Sequence, residues 1–173
     1  MKKSILIIDN FDESISKIYY DLFQNYEIFS ITHSTHKQLL KKNIPHQISE
    51  EYLELNDRKM IDDYAINATI NWHELKSFKK YLTYNSINLG SLLEQELFQY
   101  FASVFNKAII CKKIIETFKP EKVVCYTEVN DFVKQICNYM NIDIVLKNKP
   151  ISQALAFDQI NIKYNLLQFP ITF

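Results

Sequence analysis

Glycine is almost absent from this chain of 173 residues, which contains a single one, Gly90. Walker-type loops and the GxGxxG turn of dinucleotide-binding domains need several glycines, because their backbone must approach a phosphate closely. Neither loop can be built from this sequence. Nucleotide binding through a glycine-rich loop is therefore excluded, and the sequence indicates no cofactor of another kind.

The chain also lacks an excess of charge of either sign, since 20 Lys and Arg residues balance 20 Asp and Glu residues. Nucleic acids and anionic membrane surfaces attract basic proteins, so no nucleic-acid partner is expected. No apolar run approaches the roughly 20 residues that a membrane span requires. The first apolar run stops at Asp9, which is too early for the core of a signal peptide. We therefore expect a cytoplasmic protein without a membrane span.

Potential metal ligands are few and scattered. The three cysteines, Cys111, Cys125 and Cys137, form no CxxC pair, and each lies in an apolar run, which is typical of buried reduced thiols. His33 and His36 can share one face of a helix, but no Cys, Asp or Glu stands nearby at ligand spacing. The sequence therefore predicts no metal site.

The clearest pattern present is an amphipathic stretch from Ser91 to Phe118, which predicts one long helix. Ser91 and Glu94 have the spacing of a capping box at its start. Lys119 and Pro120 end the helix, because a residue before proline avoids the helical region. The apolar stripe expected to face the core consists of Leu93, Leu97, Phe101, Val104, Ala108, Cys111, Ile115 and Phe118.

Strand and helix patterns alternate at both ends of the chain. Short apolar runs predict strands at 4–9, 26–32, 44–48, 122–127 and 142–146, with Pro45 weakening the third. Helical patterns cover 13–24, 33–43, 56–72 and 130–141, a helical turn covers 49–52, and 72–88 reads as a helix followed by a loop. These units predict a single α/β domain over 1–173, with a Rossmann-like three-layer fold, a mainly parallel sheet and one long helix. Residues 151–173 are interpreted as an edge strand, or as a tail that packs on a second domain.

Polar residues cluster where two of these strands end, after the first strand and after the strand at 122–127. In open parallel sheets, ligands bind outside the carboxyl ends of the strands, where the strand order reverses. If the two strands are neighbours, carboxylates from both face one crevice and can bind polyol hydroxyls or a cation, or act as a general base. The alternative is ordinary capping of the helices that follow. The candidate substrate-binding residues are Asp9, Asn10, Asp12, Thr127, Glu128, Asn130 and Asp131.

No catalytic set can be assigned from the sequence. The serines lack a nucleophile-elbow context, and no histidine has an evident partner. Asp9 and Asp12 suggest a small metal-dependent hydrolase, although the dehalogenase-type phosphatases separate their two aspartates by one residue rather than two. Trp72 beside His73 suits a sugar-stacking platform, and its alternative is a position in the core.

One pattern extends over the middle two thirds of the chain. A proline-bearing segment and Ser49-Glu50-Glu51-Tyr52-Leu53 precede an acidic helix that ends at Trp72. Asn88-Leu89-Gly90, the long helix and the step Lys119-Pro120-Glu121-Lys122-Val123-Val124 follow. This order resembles the N-terminal half of GT-B-type glycosyltransferases that build bacterial or archaeal surface polysaccharides.

The resemblance implies an acceptor-side domain with a glycan or nucleotide-sugar ligand. GT-B enzymes have two Rossmann-like domains and bind the sugar donor mainly in the second, so this chain is expected to be a fragment or a lone N-terminal domain that does not transfer sugar alone. Its expected partner is that second domain, or another copy, through 151–173. Two alternatives stay open: a non-catalytic module that binds a partner protein, and the metal-dependent hydrolase.

Overall fold

A computed structural model describes residues 4–9, 11, 25–73, 76–127 and 129–146. The helix predicted at 13–24 and the segment 147–173 lie outside these residues. The described elements are, in chain order, β1 (Ser4–Ile8), β2 (Glu27–Ser30), α1 (His33–Lys41), β3 (Gln47–Ile48), a 3₁₀ turn (Ser49–Tyr52), α2 (Leu55–Trp72), α3 (Lys76–Leu82), β4 (Thr83–Tyr84), β5 (Ile87–Asn88), a second 3₁₀ turn (Leu89–Leu93), α4 (Glu94–Phe118), β6 (Lys122–Tyr126), α5 (Asn130–Tyr139) and β7 (Asp143–Leu146).

Five of the described strands form one sheet in the order β3-β2-β1-β6-β7. All four pairings are parallel, and β1 lies against β6 with Ile5 opposite Val123 and Ile7 opposite Cys125. Successive side chains point to opposite faces, and both faces of β1 are buried, which is why its sequence is continuously apolar. The predicted parallel sheet is confirmed.

Helices cover both faces of this sheet. On one face, Ile5 and Ile7 share a core with Ile110 and Ile114 of α4 and with Val133 of α5. On the other face, Leu6, Ile8, Ile28, Val124 and Tyr126 pack with Leu39 of α1 and with Phe11. The three-layer Rossmann-like fold expected from the sequence is therefore confirmed. No helix among the described residues combines the length and the apolar character that crossing a bilayer requires.

The helices α2 and α4 form an antiparallel pair, as contacts along their length show. Asp57 near the start of α2 contacts Lys113 near the end of α4, at 3.0 Å. Farther along, the rings of Tyr64 and Phe105 lie 5.8 Å apart, and His73, just after α2, contacts Glu94 at 2.7 Å. The described residues between the two helices, 73 and 76–93, form the tip of this helical hairpin.

A capping box fixes the start of α2. The Glu54 amide donates to Asp57 Oδ2 at 2.9 Å, and the Glu54 side chain accepts from the backbone of Asp57. Burial by itself acts to raise the pKa of the Asp57 carboxyl, but the Glu54 amide and the Lys113 ammonium hold that pKa below its usual value. The Lys113 contact joins the start of α2 to the end of α4, whereas the Glu54 hydrogen bond is local to α2.

The long helix differs from its prediction in two respects. It begins at Glu94 rather than Ser91, without a side-chain cap, because residues 89–93 form a 3₁₀ turn in which Ser91 Oγ donates to the Asn88 carbonyl. The buried residues of α4 lie only in its C-terminal half, where it covers the sheet, whereas Leu93 is exposed. The buried face in that half comprises Ala108, Ile109, Ile110, Cys111, Ile114 and Ile115.

Other boundaries shift for local reasons. The third strand shrinks to Gln47–Ile48, which excludes Pro45, a residue without an amide hydrogen for the ladder. The stretch read as a loop before Asn88 contains a two-stranded antiparallel hairpin, β4–β5. The helical turn over 49–52 is present as a 3₁₀ turn.

Among the described residues, five that are not glycine have the left-handed backbone conformation that usually favours glycine, and three of them are asparagines. Asn43 follows α1 and Asn141 follows α5, each with a positive φ. Asn85 and Ser86, both with positive φ, form the two-residue turn of the β4–β5 hairpin. Lys119, with φ 42°, ends α4 directly before Pro120. The predicted end of the long helix is therefore confirmed.

Candidate functional site

The strand order reverses between β1 and β6, because the chain moves from β1 to β2 on one side and from β6 to β7 on the other. The backbone amide of Asp9 donates to the Tyr126 carbonyl at 3.1 Å, so the carboxyl ends of the two strands meet. This is the position at which open α/β sheets bind ligands. Three of the predicted site residues, Asn10, Asp12 and Glu128, lie outside the described residues.

Asp9 is a buried charged residue at this meeting point of the two strand ends, which we call the β1–β6 crevice. It has the same parity along the strand as Ile5 and Ile7, so its side chain points to the face that α4 covers. Asp9 Oδ2 lies 3.7 Å from Lys107 Nζ of α4, and the two side chains are 0 % and 14 % exposed. The backbone carbonyl of Asp9 accepts from Thr32 Oγ1 at 2.9 Å. A carboxylate and an ammonium thus lie side by side where the strand order reverses.

Lys107 was not among the residues predicted for the site. It stands three residues after Val104 and four before Cys111 in the long helix. That spacing places it on the same helical face as both apolar residues. A lysine on the buried face of a helix is a signal for a buried partner of opposite charge, and that signal was available in the sequence.

The residues after β6 mainly organise the turn into α5. Thr127 Oγ1 accepts from the Val129 amide at 2.9 Å, and Asn130 Oδ1 accepts from the Thr127 amide at 3.2 Å. These are the local hydrogen bonds of the capping alternative. Asp131 is exposed in the first turn of α5. Of the four acidic residues predicted for the site, Asp9 and Asp131 are the two that lie within the described part of the chain.

The three cysteines meet in the core beneath the crevice. Cys111, Cys125 and Cys137 come from α4, β6 and α5, are buried free thiols, and belong to one apolar cluster. Burial raises the pKa of all three, to about 11 for Cys137, and the Asp9 charge adds to the rise for Cys111 and Cys125. The prediction of buried reduced thiols is confirmed. Protonated thiols of this kind are poor nucleophiles.

A second polar cluster holds the tip of the helical hairpin. Asn88 Oδ1 accepts from the Gly90 amide at 2.9 Å, which leaves its Nδ2 to donate to His73 Nδ1 at 3.0 Å. His73 Nε2 therefore carries the hydrogen and donates to Glu94 Oε1 at 2.7 Å. His73 is buried, and its ring contacts the ring of Trp72 edge-on. Both ring nitrogens are engaged, so this histidine has a structural role.

Among residues 4–9, 11, 25–73, 76–127 and 129–146, no group of three or more His, Cys, Asp or Glu residues is arranged to hold a metal ion. Comparison of the chain with protein-family models, with curated proteins and with solved structures found no match.

Proposed function

We propose that this chain is the acceptor-side domain of a GT-B-type glycosyltransferase of surface polysaccharide biosynthesis, acting in the cytoplasm, and that the crevice between β1 and β6 binds a hydroxyl-rich sugar. The sheet order supports this proposal, because it creates a crevice with the carboxyl ends of two neighbouring strands. The long helix α4, which leads through Pro120 into β6, keeps the order of elements on which the sequence resemblance rests.

The observation that carries the proposal is the pairing of Asp9 with Lys107 in the crevice. Neighbouring hydroxyl groups of a sugar ring each offer a donor and an acceptor. A carboxylate accepts from one hydroxyl while an ammonium donates to the next, and hydrogen bonds to charged groups are the stronger ones. The Asp9 side chain is 0 % exposed, so in this proposal a sugar hydroxyl displaces the side chains that cover it before Asp9 accepts a hydrogen bond or a proton. Asp131, which is exposed, contributes at the rim.

Sugar binding is expected to depend on both charged residues. Titration of monosaccharides, short oligosaccharides and nucleotide-sugars, followed by amide NMR shifts, should reveal a ligand that shifts Asp9, Thr127 and their neighbours. Asp9→Asn and Lys107→Arg, which keep side-chain size or charge, should each weaken that ligand about tenfold, as expected for one charged hydrogen bond.

Lys112→Met is the matched control for this titration, because Lys112 lies on the same helix but is exposed in a pair with Glu116. It should leave affinity unchanged, and thermal melting should show that every variant is folded. The absence of amide shifts with every sugar tested, or undiminished binding by Asp9→Asn, would refute the proposal.

The hydrolase alternative is less well supported by the same geometry. A catalytic dication would have to compete with the Lys107 ammonium for Asp9, since the two groups are already 3.7 Å apart. Asp12, its second carboxylate, lies outside the described residues. Phosphatase activity that persists in Asp9→Asn would end this alternative.

A protein-binding module is the second candidate, and one observation favours it. Within its described residues, the hairpin tip exposes six large apolar side chains, which is more than scattered surface residues usually provide. They are Tyr81, Tyr84, Ile87, Leu89, Leu92 and Leu93.

If the tip binds another copy of the chain, light scattering should show an average mass that rises with protein concentration. Leu92→Ser should reduce that rise. Leu55→Ser is the matched control, because Leu55 is equally apolar and 83 % exposed but lies at the opposite end of α2. A monomer at every concentration would remove the support for self-association through the tip.

A further inference from the structure

Two histidines from separate parts of the chain meet beside the sheet edge at β3. His36 lies in the second turn of α1, and His46 lies in the segment that leads into β3. His36 Nδ1 and His46 Nε2 are 2.8 Å apart, and their ring centroids are 5.0 Å apart. Both residues line a cleft of ≈ 480 Å³ together with Ile44 and Glu51. The pair is thus open to a small solute from the cleft.

The hydrogen bonds determine which nitrogen of each ring carries a hydrogen. His46 Nδ1 lies 2.8 Å from the Ile44 carbonyl, which only accepts, so Nδ1 is the donor. His46 Nε2 therefore carries the lone pair, and His36 Nδ1 donates to it. An imidazole whose Nδ1 hydrogen is held by a backbone carbonyl, with Nε2 directed at a neighbour, has the orientation of a metal-ligating histidine.

We propose that His36 Nδ1 and His46 Nε2 bind one transition-metal dication of the zinc class, with water in the remaining positions. Two imidazole nitrogens on one tetrahedral zinc stand about 3.3 Å apart, given zinc–nitrogen bonds of about 2.0–2.1 Å. The present separation of 2.8 Å needs only a small opening of the pair. His36 changes tautomer as the metal replaces its Nδ1 hydrogen, which moves to Nε2 through solvent, so no proton is released.

This site is independent of the sugar proposal, because it involves none of the residues in the β1–β6 crevice. The sequence pattern paired His36 with His33 on one helix face, and the structure pairs it with His46 instead. The ring of His33 lies 6.1 Å from that of His36, at the exposed start of α1, whereas His46 is the residue in hydrogen-bond contact. The proposal therefore names His46 as the partner and makes His33 the natural control.

The test is a zinc titration of the full chain by calorimetry and by competition with a colorimetric chelator. We expect one zinc ion per chain, and affinities that rise from Co²⁺ to Ni²⁺ to Cu²⁺. His36→Gln and His46→Gln should each lower the zinc affinity about tenfold or more, whereas His33→Gln should change it less than about twofold, since His33 is not a proposed ligand.

Two further measurements separate a built site from scattered surface binding. Zinc should raise the melting temperature of the wild-type chain but not that of a His36→Gln, His46→Gln double variant, because only a folded site binds. Nitrogen NMR of the imidazoles should show His46 Nε2 shifting on zinc addition while its Nδ1 stays protonated. Equal losses in all three single variants, or wild-type affinity in the double variant, would overturn the proposal.

Discussion

Lys107→Met is expected to lower the free energy of unfolding by about 3–5 kcal/mol, the usual cost of removing one partner of a buried ion pair. Methionine replaces the aliphatic part of lysine well, so packing against α4's neighbours is largely kept. What is lost is the ammonium 3.7 Å from Asp9, whose side chain is 0 % exposed. Urea denaturation followed by circular dichroism measures the change.

The control is Lys112→Met, five residues farther along α4, where the partner Glu116 is 3.8 Å away and both side chains are about half exposed. Exposed pairs of this kind contribute about 0–1 kcal/mol. Adding Asp9→Asn to Lys107→Met should recover part of the loss, because the buried carboxylate charge is then gone as well. Equal costs for Lys107→Met and Lys112→Met would show that the pair is not effectively buried.

Much of the fold follows from the sequence because its signals are local. The continuous apolar runs at β1 and β6 and the helix stop at Lys119 and Pro120 each depend on a few adjacent residues. The start of α4 was mispredicted because two patterns compete there: Ser91 and Glu94 have capping spacing, but Asn88 already accepts the Gly90 amide and stabilises a 3₁₀ turn. Spacing alone does not reveal which hydrogen bond forms.

The candidate site was only half predictable for a different reason. Strand ends can be read from one segment, so Asp9 and the turn at Thr127 could be named as candidates. The sequence left open whether β1 and β6 are neighbours, and the structure places them side by side. Lys107 and the pair of His36 with His46 depend on contacts between distant segments. Periodicity predicts which face of a helix carries a side chain, but it does not predict which residue of another segment that side chain contacts.

The single glycine is where the second large effect is expected, and its φ is not positive. Alanine can therefore adopt the backbone conformation of Gly90, and the obstacle is space. A Cβ atom at Gly90 would lie 2.5 Å from His73 Cβ and 3.1 Å from His73 Cγ. His73 Cβ is bonded directly to the backbone, so it cannot move without shifting the residue after α2.

Gly90→Ala should therefore destabilise the chain by about 1–3 kcal/mol, in the range of overpacked interiors. The displacement of His73 also separates it from Glu94 and Asn88, which lie 2.7 and 3.0 Å away. Urea denaturation gives the global cost. Hydrogen exchange should show faster opening of the amides of residues 83–93, which belong to the tip, while those of β1 and β6 keep their relative protection.

A double-mutant cycle identifies the cause of this loss. His73→Gly removes the Cβ that alanine would meet, at its own cost in hydrogen bonds with Glu94 and Asn88. In that background Gly90→Ala should cost less than about 0.5 kcal/mol, so the two substitutions are strongly coupled. If alanine costs the same with and without His73, the close approach is not what requires glycine at this position. If the coupling is found, the only glycine of the chain is explained by the histidine it touches.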